Sequence, residues 1–340
     1  YEFEDVAETV AFLEWLLDDN FVLLGYREYG IGETDEGTAV IANPESGLGI
    51  LSCDRSEPSR IMLADLPPHL RSRYTGGDIL VVTKTNRHAT VHRDARMDYI
   101  GLRRIASDGT MECELRLLGL FTSKAYMTPA SEIPLLRRKL SQVLAHQDVI
   151  EGSHDYKSIV QLFETFPKDD LFAMKVSDLS ATLGDLIETD DTSAVRLFVR
   201  TDSLSRFVSV LVTVPRDRFN ADLRKELQEL FLDVFDGSAI DYRLALGESG
   251  DARIHFSVWI EEGTTPDVDI ADLEQAVIAM ARNWDDRVTE ELHRYLDDGE
   301  ANEIGERWTS LFPDYYKAST GLDIAAGDIV SLERLRRSGR

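Results

Sequence analysis

The sequence predicts an α+β fold built from antiparallel sheets that carry helices on one face. Two observations lead to this prediction. Stretches in which apolar and polar residues alternate mark half-buried strands, and apolar residues at helical spacing mark amphipathic helices between them. The 340 residues exceed the usual size of one domain. We therefore expect two sheet domains, a helical connector between them and a helical tail.

The first domain is predicted to span residues 1–128 and to be the larger α+β unit. A helix is expected at 4–17. Its buried stripe is predicted to consist of Val6, Val10, Leu13 and Leu17. The strands are expected at 21–29, 39–42, 49–52, 79–84, 90–93, 99–105 and 111–117. The last two form a hairpin, because Asp108-Gly109 between them can adopt the positive φ of a tight turn.

Residues 129–192 are predicted to form a connector of three helices. Ser131 is expected to cap the first helix and Ser153 the second, since a serine hydroxyl accepts a hydrogen bond from a free N–H of the first turn. The third helix is expected to begin near Asp169 or Asp170.

The second sheet domain, predicted at 193–298, has the element order ββαββα. Its strands are expected at 195–200, 207–214, 240–246 and 254–260. Asn220 is expected to cap the first helix, and a longer helix is expected to begin near Asp269 and to continue past Val288. The core face of the third strand is predicted to consist of Ile240, Tyr242, Leu244 and Leu246. Residues 299–340 are expected to form a helical tail.

Moving the last strand of a ferredoxin-like βαββαβ unit to the front gives the same element order. We therefore infer a four-stranded antiparallel sheet with two helices on one face, which is the architecture of ACT regulatory domains in a permuted form. The first domain is expected to be another ACT-like unit with additional elements. Phe207, His255 and Trp259 point away from the predicted core face, and a packed interdomain interface is the preferred interpretation.

Five short segments carry a family resemblance. They are LGYR at 24–27, MDYIG at 97–101, LLGLFTS at 117–123, VPRDRF at 214–219 and FPDYY at 312–316. With these segments in this order, the sequence resembles the N-terminal region of the large bacterial NAD-specific glutamate dehydrogenases. The resemblance implies an enzyme that converts L-glutamate, NAD and water to 2-oxoglutarate, ammonia and NADH. It also implies that this region precedes the catalytic part of the same chain, which would be its partner together with further copies in a homo-oligomer.

The residues themselves give no sign of dehydrogenase chemistry in this segment. No G-x-G-x-x-G turn occurs, and the nearest glycine group at 30–37 lies in an acidic loop that would repel a pyrophosphate. We therefore expect no NAD, no metal and no catalytic residue here. His88 and His92 have a helical metal-ligand spacing, but they lie in a region of predicted strand and turn, so a surface or structural role is favoured.

Two groups of residues are candidates for binding an amino-acid effector. Arg93 and Arg96 lie in an arginine-rich hairpin, where guanidinium groups can pair with a carboxylate. The alternative is that these arginines neutralise neighbouring acidic residues, and this alternative is preferred. In the loop after the second strand of the second domain, Arg216 or Arg218 could bind a carboxylate and Asp217 an ammonium group. Here the preferred alternative is an exposed loop in which Asp217 or Asn220 caps the next helix.

The composition limits the partners. The formal net charge is −25, and such an acidic surface repels nucleic acid and anionic membrane surfaces. No apolar run is long enough to span a membrane. Two cysteines without a Cys-x-x-Cys spacing and the lack of a leader-like start favour the cytoplasm. We expect a regulatory and oligomerisation region of a glutamate dehydrogenase. The alternatives are a stand-alone ACT-type amino-acid sensor and a purely structural assembly module.

Overall fold

The computed structural model describes most of the chain. The described residues are 3–52, 60–66, 71, 74, 76, 78–107, 110–188, 195–202, 204–246, 251–261, 264 and 266–339. The predicted Asp108-Gly109 turn and Cys53 lie outside them. The fold is α+β, with two antiparallel sheets and helices that pack against them and between them.

The first sheet has seven strands in the order β4-β2-β1-β7-β6-β5, with β3 paired to β1. The strands are β1 Phe21–Thr34, β2 Gly37–Ala42, β3 Leu48–Gly49, β4 Arg60–Met62, β5 Leu80–His88, β6 Arg96–Ile105 and β7 Met111–Phe121. The predicted strand at 90–93 is wrong. Residues 89–95 form a bend instead, because His92 has a φ of 72°, which an extended strand does not accommodate.

The first helix, α1 Phe3–Trp15, packs largely with a different face from the predicted one, and of the predicted stripe Leu13 packs against the core. Phe12 is fully buried against Phe121 and Phe172, whereas Val6, Val10 and Leu17 are 42%, 49% and 86% exposed. The helix carries two apolar stripes, and the stripe with the aromatic rings buries more surface and gains ring-to-ring contacts. A short helix, α2 Ser123–Met127, follows the sheet and is capped by Thr122.

In its described residues, 129–188, the connector has four helices rather than the predicted three. They are α3 Leu136–His146, α4 His154–Thr165, α5 Lys168–Ala173 and α6 Val176–Glu188. Ser153 caps α4 as predicted. Ser131 does not cap α3, because it lies in a preceding 3-10 turn, where the Glu164 carboxylate accepts hydrogen bonds from the N–H groups of Ala130 and Ser131.

The second sheet has four antiparallel strands in the order β10-β11-β9-β8. Its elements are β8 Arg196–Thr201, β9 Phe207–Pro215, α7 Ala221–Val234, β10 Ala239–Leu246, β11 Asp251–Trp259 and α8 Ile270–Met280. Asn220 caps α7 as predicted, and α8 begins next to Asp269, the predicted start, with Asp269 as its cap. The inner face of the sheet and both helices share one core, in which Val210, Val212, Phe231, Ile254 and Phe256 are fully buried.

Two details of this unit differ from the sequence-based expectation. On the edge strand β10, Tyr242, Leu244 and Leu246 are 44%, 42% and 49% exposed rather than buried, because β10 has a neighbouring strand on one side only. The predicted long helix ends at Met280, and Asn283 caps a new helix with a capping box.

The C-terminal part is a separate helical cluster. It consists of α9 Trp284–Leu292, α10 Asp298–Trp308, α11 Asp314–Ser319 and α12 Leu322–Ser338. Val288 packs in this cluster against Ile304 and Ile329, and not against the second sheet as the sequence pattern predicts.

The central strands of the second sheet, β9 and β11, are buried on both faces, and this arrangement creates the candidate site. Every residue of β9 is buried. Phe207, His255 and Trp259 on the outer face are 3%, 4% and 4% exposed. The preferred interpretation of these residues, a packed interface between domains, is therefore confirmed.

Candidate functional site

A cleft of about 640 Å³ lies between the first sheet, α5 and the outer face of the second sheet. Four positively charged side chains line it together with several carboxylates, and two of its aromatic rings lie beside these cations. These cations and rings are Lys84, Arg93, Arg96, Arg243, Tyr126 and Trp259. They come from the bend at 89–95, β5, β6, α2, β10 and β11, so the cleft exists only when the two sheets face each other.

Arg96 is held at the wall of the cleft by an aromatic ring. Its guanidinium carbon lies 3.9 Å from the centre of the Trp259 ring, a close cation–π distance. Its Nη1 donates to the carbonyl oxygen of Asn86 at 2.9 Å, and its Nε lies 4.0 Å from Oδ2 of Asp241. Burial lowers the pKa of Arg96 and Asp241 opposes that shift. The charge of Arg96 is thus supported by a ring and a carbonyl rather than by a close carboxylate.

Arg93 is similar in lacking a close acidic partner. Its Nη2 donates to the carbonyl oxygen of Phe121 at 2.9 Å, and its guanidinium carbon lies 6.0 Å from the centre of the Tyr126 ring. Among the described residues, no carboxylate oxygen comes within 4.0 Å of its nitrogens. Other arginines of the same hairpin do neutralise acidic neighbours, as the preferred alternative predicts: Arg104 pairs with Glu112 at 3.0 Å.

A chain of ion pairs crosses the floor of the cleft and joins the two sheets through α5. Lys84 Nζ on β5 lies 2.5 Å from Oδ1 of Asp98 and 3.5 Å from Oδ1 of Asp169. Asp169 in turn pairs with Arg243 on β10 at 3.2 Å. The Tyr126 hydroxyl completes the surroundings of Lys84 at 3.2 Å.

In this series of ion pairs, burial and the neighbouring charges shift the pKa values in opposite directions. Burial lowers the pKa of Lys84, but Asp169 and Asp98 outweigh it and the pKa is raised above its ordinary value. Burial raises the pKa of Asp98 to about 6, with a further contribution from Asp169 and against the attraction of Lys84. Both groups are therefore charged at neutral pH, and each depends on the other for that state.

The second group of candidate residues, in the loop after β9, lies outside the cleft. Arg216 and Asp217 are exposed in the turn after β9, and Arg218 pairs with Asp286 of α9 at 3.2 Å. Asn220 rather than Asp217 caps the next helix. This turn follows Pro215, whereas Phe207 at the other end of β9 lines the cleft. The two ends of this nine-residue strand lie roughly 26 Å apart, so the structure does not bring the two predicted groups together.

The structure adds residues that the sequence did not indicate. Lys84, Asp169 and Arg243 reach the cleft from elements far apart in the chain, and no local pattern marks them. Trp259 did carry a signal, because it points away from the predicted core face of its strand.

Two segments match models of protein families. Residues 196–285 match the family described as "Glutamate dehydrogenase, ACT2 domain", and residues 133–191 match "Glutamate dehydrogenase, helical motif 1". The first segment covers the four-stranded sheet with α7 and α8, and the second covers the connector. The second sheet unit is therefore an ACT domain.

Three curated proteins named "NAD-specific glutamate dehydrogenase" extend the similarity to nearly the whole chain. The protein of Halomonas elongata is 32% identical over 97% of this chain. Those of Pseudomonas aeruginosa and Mycobacterium tuberculosis are 28% and 26% identical over 97% and 98% of it. The chain spans about a fifth of the length of these relatives, 20% in each case. The resemblance predicted from the five segments is thereby confirmed: nearly the whole chain is similar to one portion of these NAD-specific glutamate dehydrogenases.

The described residues lack two kinds of feature. No group of three or more His, Cys, Asp and Glu side chains there has the arrangement of a metal site. None of the helices in that part of the chain has the length and apolar character needed to cross a membrane.

Proposed function

We propose that this chain is a regulatory and assembly region of an NAD-dependent glutamate dehydrogenase and works in the cytoplasm. In this proposal the whole protein oxidises L-glutamate to 2-oxoglutarate and ammonia with NAD, and a catalytic part elsewhere in the same protein binds NAD. The segment described here performs no chemistry and binds an amino-acid effector. The similarity to proteins of that name and the match of residues 196–285 to an ACT2 domain support it.

The observation that carries the effector proposal is the pair of arginines in the cleft. The chain has a net charge of −25, yet Arg93 and Arg96 face the cleft without a carboxylate at hydrogen-bonding distance among the described residues. An amino acid supplies what they lack, since its carboxylate can accept hydrogen bonds from both guanidinium groups. Asp241 is 72% exposed at its side chain and lies next to Arg96, so it can receive the ammonium group.

The position of the cleft would allow such a ligand to regulate the enzyme. The walls belong to the first sheet, to α5 of the connector and to the second sheet, so a bound amino acid would contact all three. It would stabilise the arrangement in which they meet, and the enzyme would respond if that arrangement differs in stability between two states of the whole protein.

The assembly part of the proposal rests on exposed apolar surfaces. Tyr242, Leu244 and Leu246 lie on an edge strand with no further partner strand among the described residues. Val6 and Val10 are also exposed on α1, and Leu17 is exposed in the turn just after it. Apolar surfaces of this kind are suited to burial against another domain or a further copy of the protein.

The test uses the full-length enzyme with Arg93→Met and Arg96→Met combined. Amino acids are screened for their effect on glutamate oxidation and for binding by calorimetry. The effective amino acid should bind the double variant at least about tenfold more weakly, since two charge-assisted hydrogen bonds are lost, and glutamate oxidation without effector should be unchanged. Arg104→Met on the same strand is the matched control, because Arg104 forms an exposed pair with Glu112. An effector response that survives in the double variant at wild-type concentrations would refute the cleft as its site.

A further inference from the structure

Helix α5 is a short element that lies where the two sheets and the connector meet. It consists of the six residues Lys168–Ala173. Extended residues flank it, with φ and ψ of −57° and 133° at Pro167 and of −70° and 141° at Met174, and none of the described side chains caps its first turn. A helix of this length is not stable by itself in water. Its tertiary contacts therefore keep α5 helical and in place.

One face of α5 is bound to the ACT sheet through the buried carboxylate of Asp170. This carboxylate lies with Oδ1 3.2 Å from Nη2 of Arg200 on β8 and with Oδ2 3.8 Å from Nδ1 of His255 on β11. Burial acts to raise the pKa of Asp170, but His255 and Arg200 hold it below the ordinary value. The carboxylate is thus charged, and its charge depends on the cationic side chain that the ACT sheet supplies.

The opposite face of α5 packs against the first domain. Side chains two residues apart in an α-helix point about 200° away from each other, so Phe172 faces away from Asp170. The ring of Phe172 packs edge-on against Phe12 of α1 at 5.4 Å and is stacked on Phe121 of β7 at 5.8 Å. Phe12 is fully buried and is the residue that anchors α1 to the first sheet. α5 therefore lies between the ACT sheet and the buried face of α1.

The C-terminal end of α5 is fixed to the connector by Lys139 of α3. Its Nζ donates to the carbonyl oxygens of Leu171, Phe172 and Met174 at 2.6, 3.1 and 2.6 Å. An ammonium group has three donors, and these contacts use all three. A cation is also favoured at this end of a helix, because the free carbonyl groups there carry partial negative charge. Lys139 thus holds one end of α5, while the two faces of the helix contact the two sheet domains.

We propose that α5 couples the ACT sheet to α1, so that loss of the contact on one face of α5 weakens the contact on the other. A helix this short keeps its backbone hydrogen bonds only while its tertiary contacts remain. Without the Asp170 contact the whole element is less stable, and Phe172 leaves its position against Phe12 more often. Helix α1 then opens more often as well, as a local unfolding event. This coupling exists in the protein without a ligand, so it does not depend on the effector proposed for the cleft.

Hydrogen–deuterium exchange of the full-length protein, followed by mass spectrometry, tests the coupling. Asp170→Asn removes the charge that pairs with Arg200 and keeps the shape of the side chain. Amide exchange in α1, residues 3–15, should become at least about fivefold faster. Exchange in α7, which covers the other face of the ACT sheet, and in α12 should stay at the wild-type rate. Asp178→Asn on α6, at an exposed position, is the matched control and should leave α1 unchanged.

The reverse direction and a second variant complete the test. A coupling free energy is reciprocal, so Phe12→Leu in α1 should accelerate exchange in β8, the strand that carries Arg200. Arg200→Met breaks the same contact from the side of the ACT sheet and serves if Asp170→Asn does not fold. The proposal is overturned if α1 exchanges at the wild-type rate in both variants, if α7 accelerates as much as α1, or if Phe12→Leu leaves β8 unchanged. None of these outcomes bears on the amino-acid effector of the cleft, which is measured by binding.

Discussion

Replacing Lys84 by methionine tests whether the ion-pair chain holds the two sheets together. The side chain is 14% exposed and lies between Asp98, which is 1% exposed, and Asp169, which is 18% exposed. Lys84→Met keeps much of the apolar stem but leaves the buried carboxylate of Asp98 without a cation, whereas Asp169 keeps its pair with Arg243. Removing one partner of a buried ion pair costs about 3–5 kcal/mol, so we expect a loss of that size in the free energy of unfolding at pH 8.

Urea denaturation measures this loss. With a slope near the upper end of the usual range, about 3 kcal/mol/M, the midpoint should fall by roughly 1–2 M. Lys124→Met is the matched control, because Lys124 forms an exposed pair with Asp18 at 2.8 Å with 50% and 76% of the two side chains exposed. Exposed pairs contribute about 0–1 kcal/mol, so the control should shift the midpoint by no more than about 0.3 M.

The pH dependence gives a second readout with a defined sign. The pKa of Asp98 is already raised to about 6, and loss of Lys84 removes the charge that opposes this shift. The native variant then binds more protons than the unfolded chain between the ordinary carboxyl pKa and the raised one. Its stability therefore falls as the pH rises through this window. The difference in the free energy of unfolding between variant and wild type should be smaller at pH 5 than at pH 8. A loss no larger than that of Lys124→Met, or one that is equal at the two pH values, would refute the reasoning.

Two further substitutions test the assembly surface and the packing of the first sheet. Leu244→Lys places a charge on the exposed edge strand β10. It should reduce the mass of the assembled full-length protein in light scattering and leave the free energy of unfolding nearly unchanged. An unchanged mass argues against this edge as an interface. Gly119→Ala should lower the free energy of unfolding by about 1–3 kcal/mol, because a Cβ there would lie 2.2 Å from the carbonyl oxygen of Val22. Gly327 lies in α12 with open space around it. Gly327→Ala should therefore raise the free energy of unfolding by about 0.5–1 kcal/mol. Urea denaturation compares the two, and a neutral Gly119→Ala would contradict the close approach of β1 and β7.

The sequence by itself determined most of the elements and the class of the second sheet. Alternation along 207–214 marks a strand, and Asn220, Asp269 and Ser153 mark helix starts, because each of these signals acts between residues close together in the chain. It missed the break after Met280, where Asn283 caps a new helix within a continuous apolar pattern. It also assigned the wrong stripe of α1 to the core, because both stripes are apolar and only the partner surface distinguishes them.

Only the tertiary structure decided what the candidate residues face. The sequence identified Arg93 and Arg96, but not that they lack the acidic neighbours that Arg104 has, nor that Lys84, Asp169, Arg243 and Trp259 surround the same cleft. These residues come from elements up to about half the chain apart. Their meeting depends on the packing of two sheets against one connector, and local periodicity carries no information about such long-range contacts.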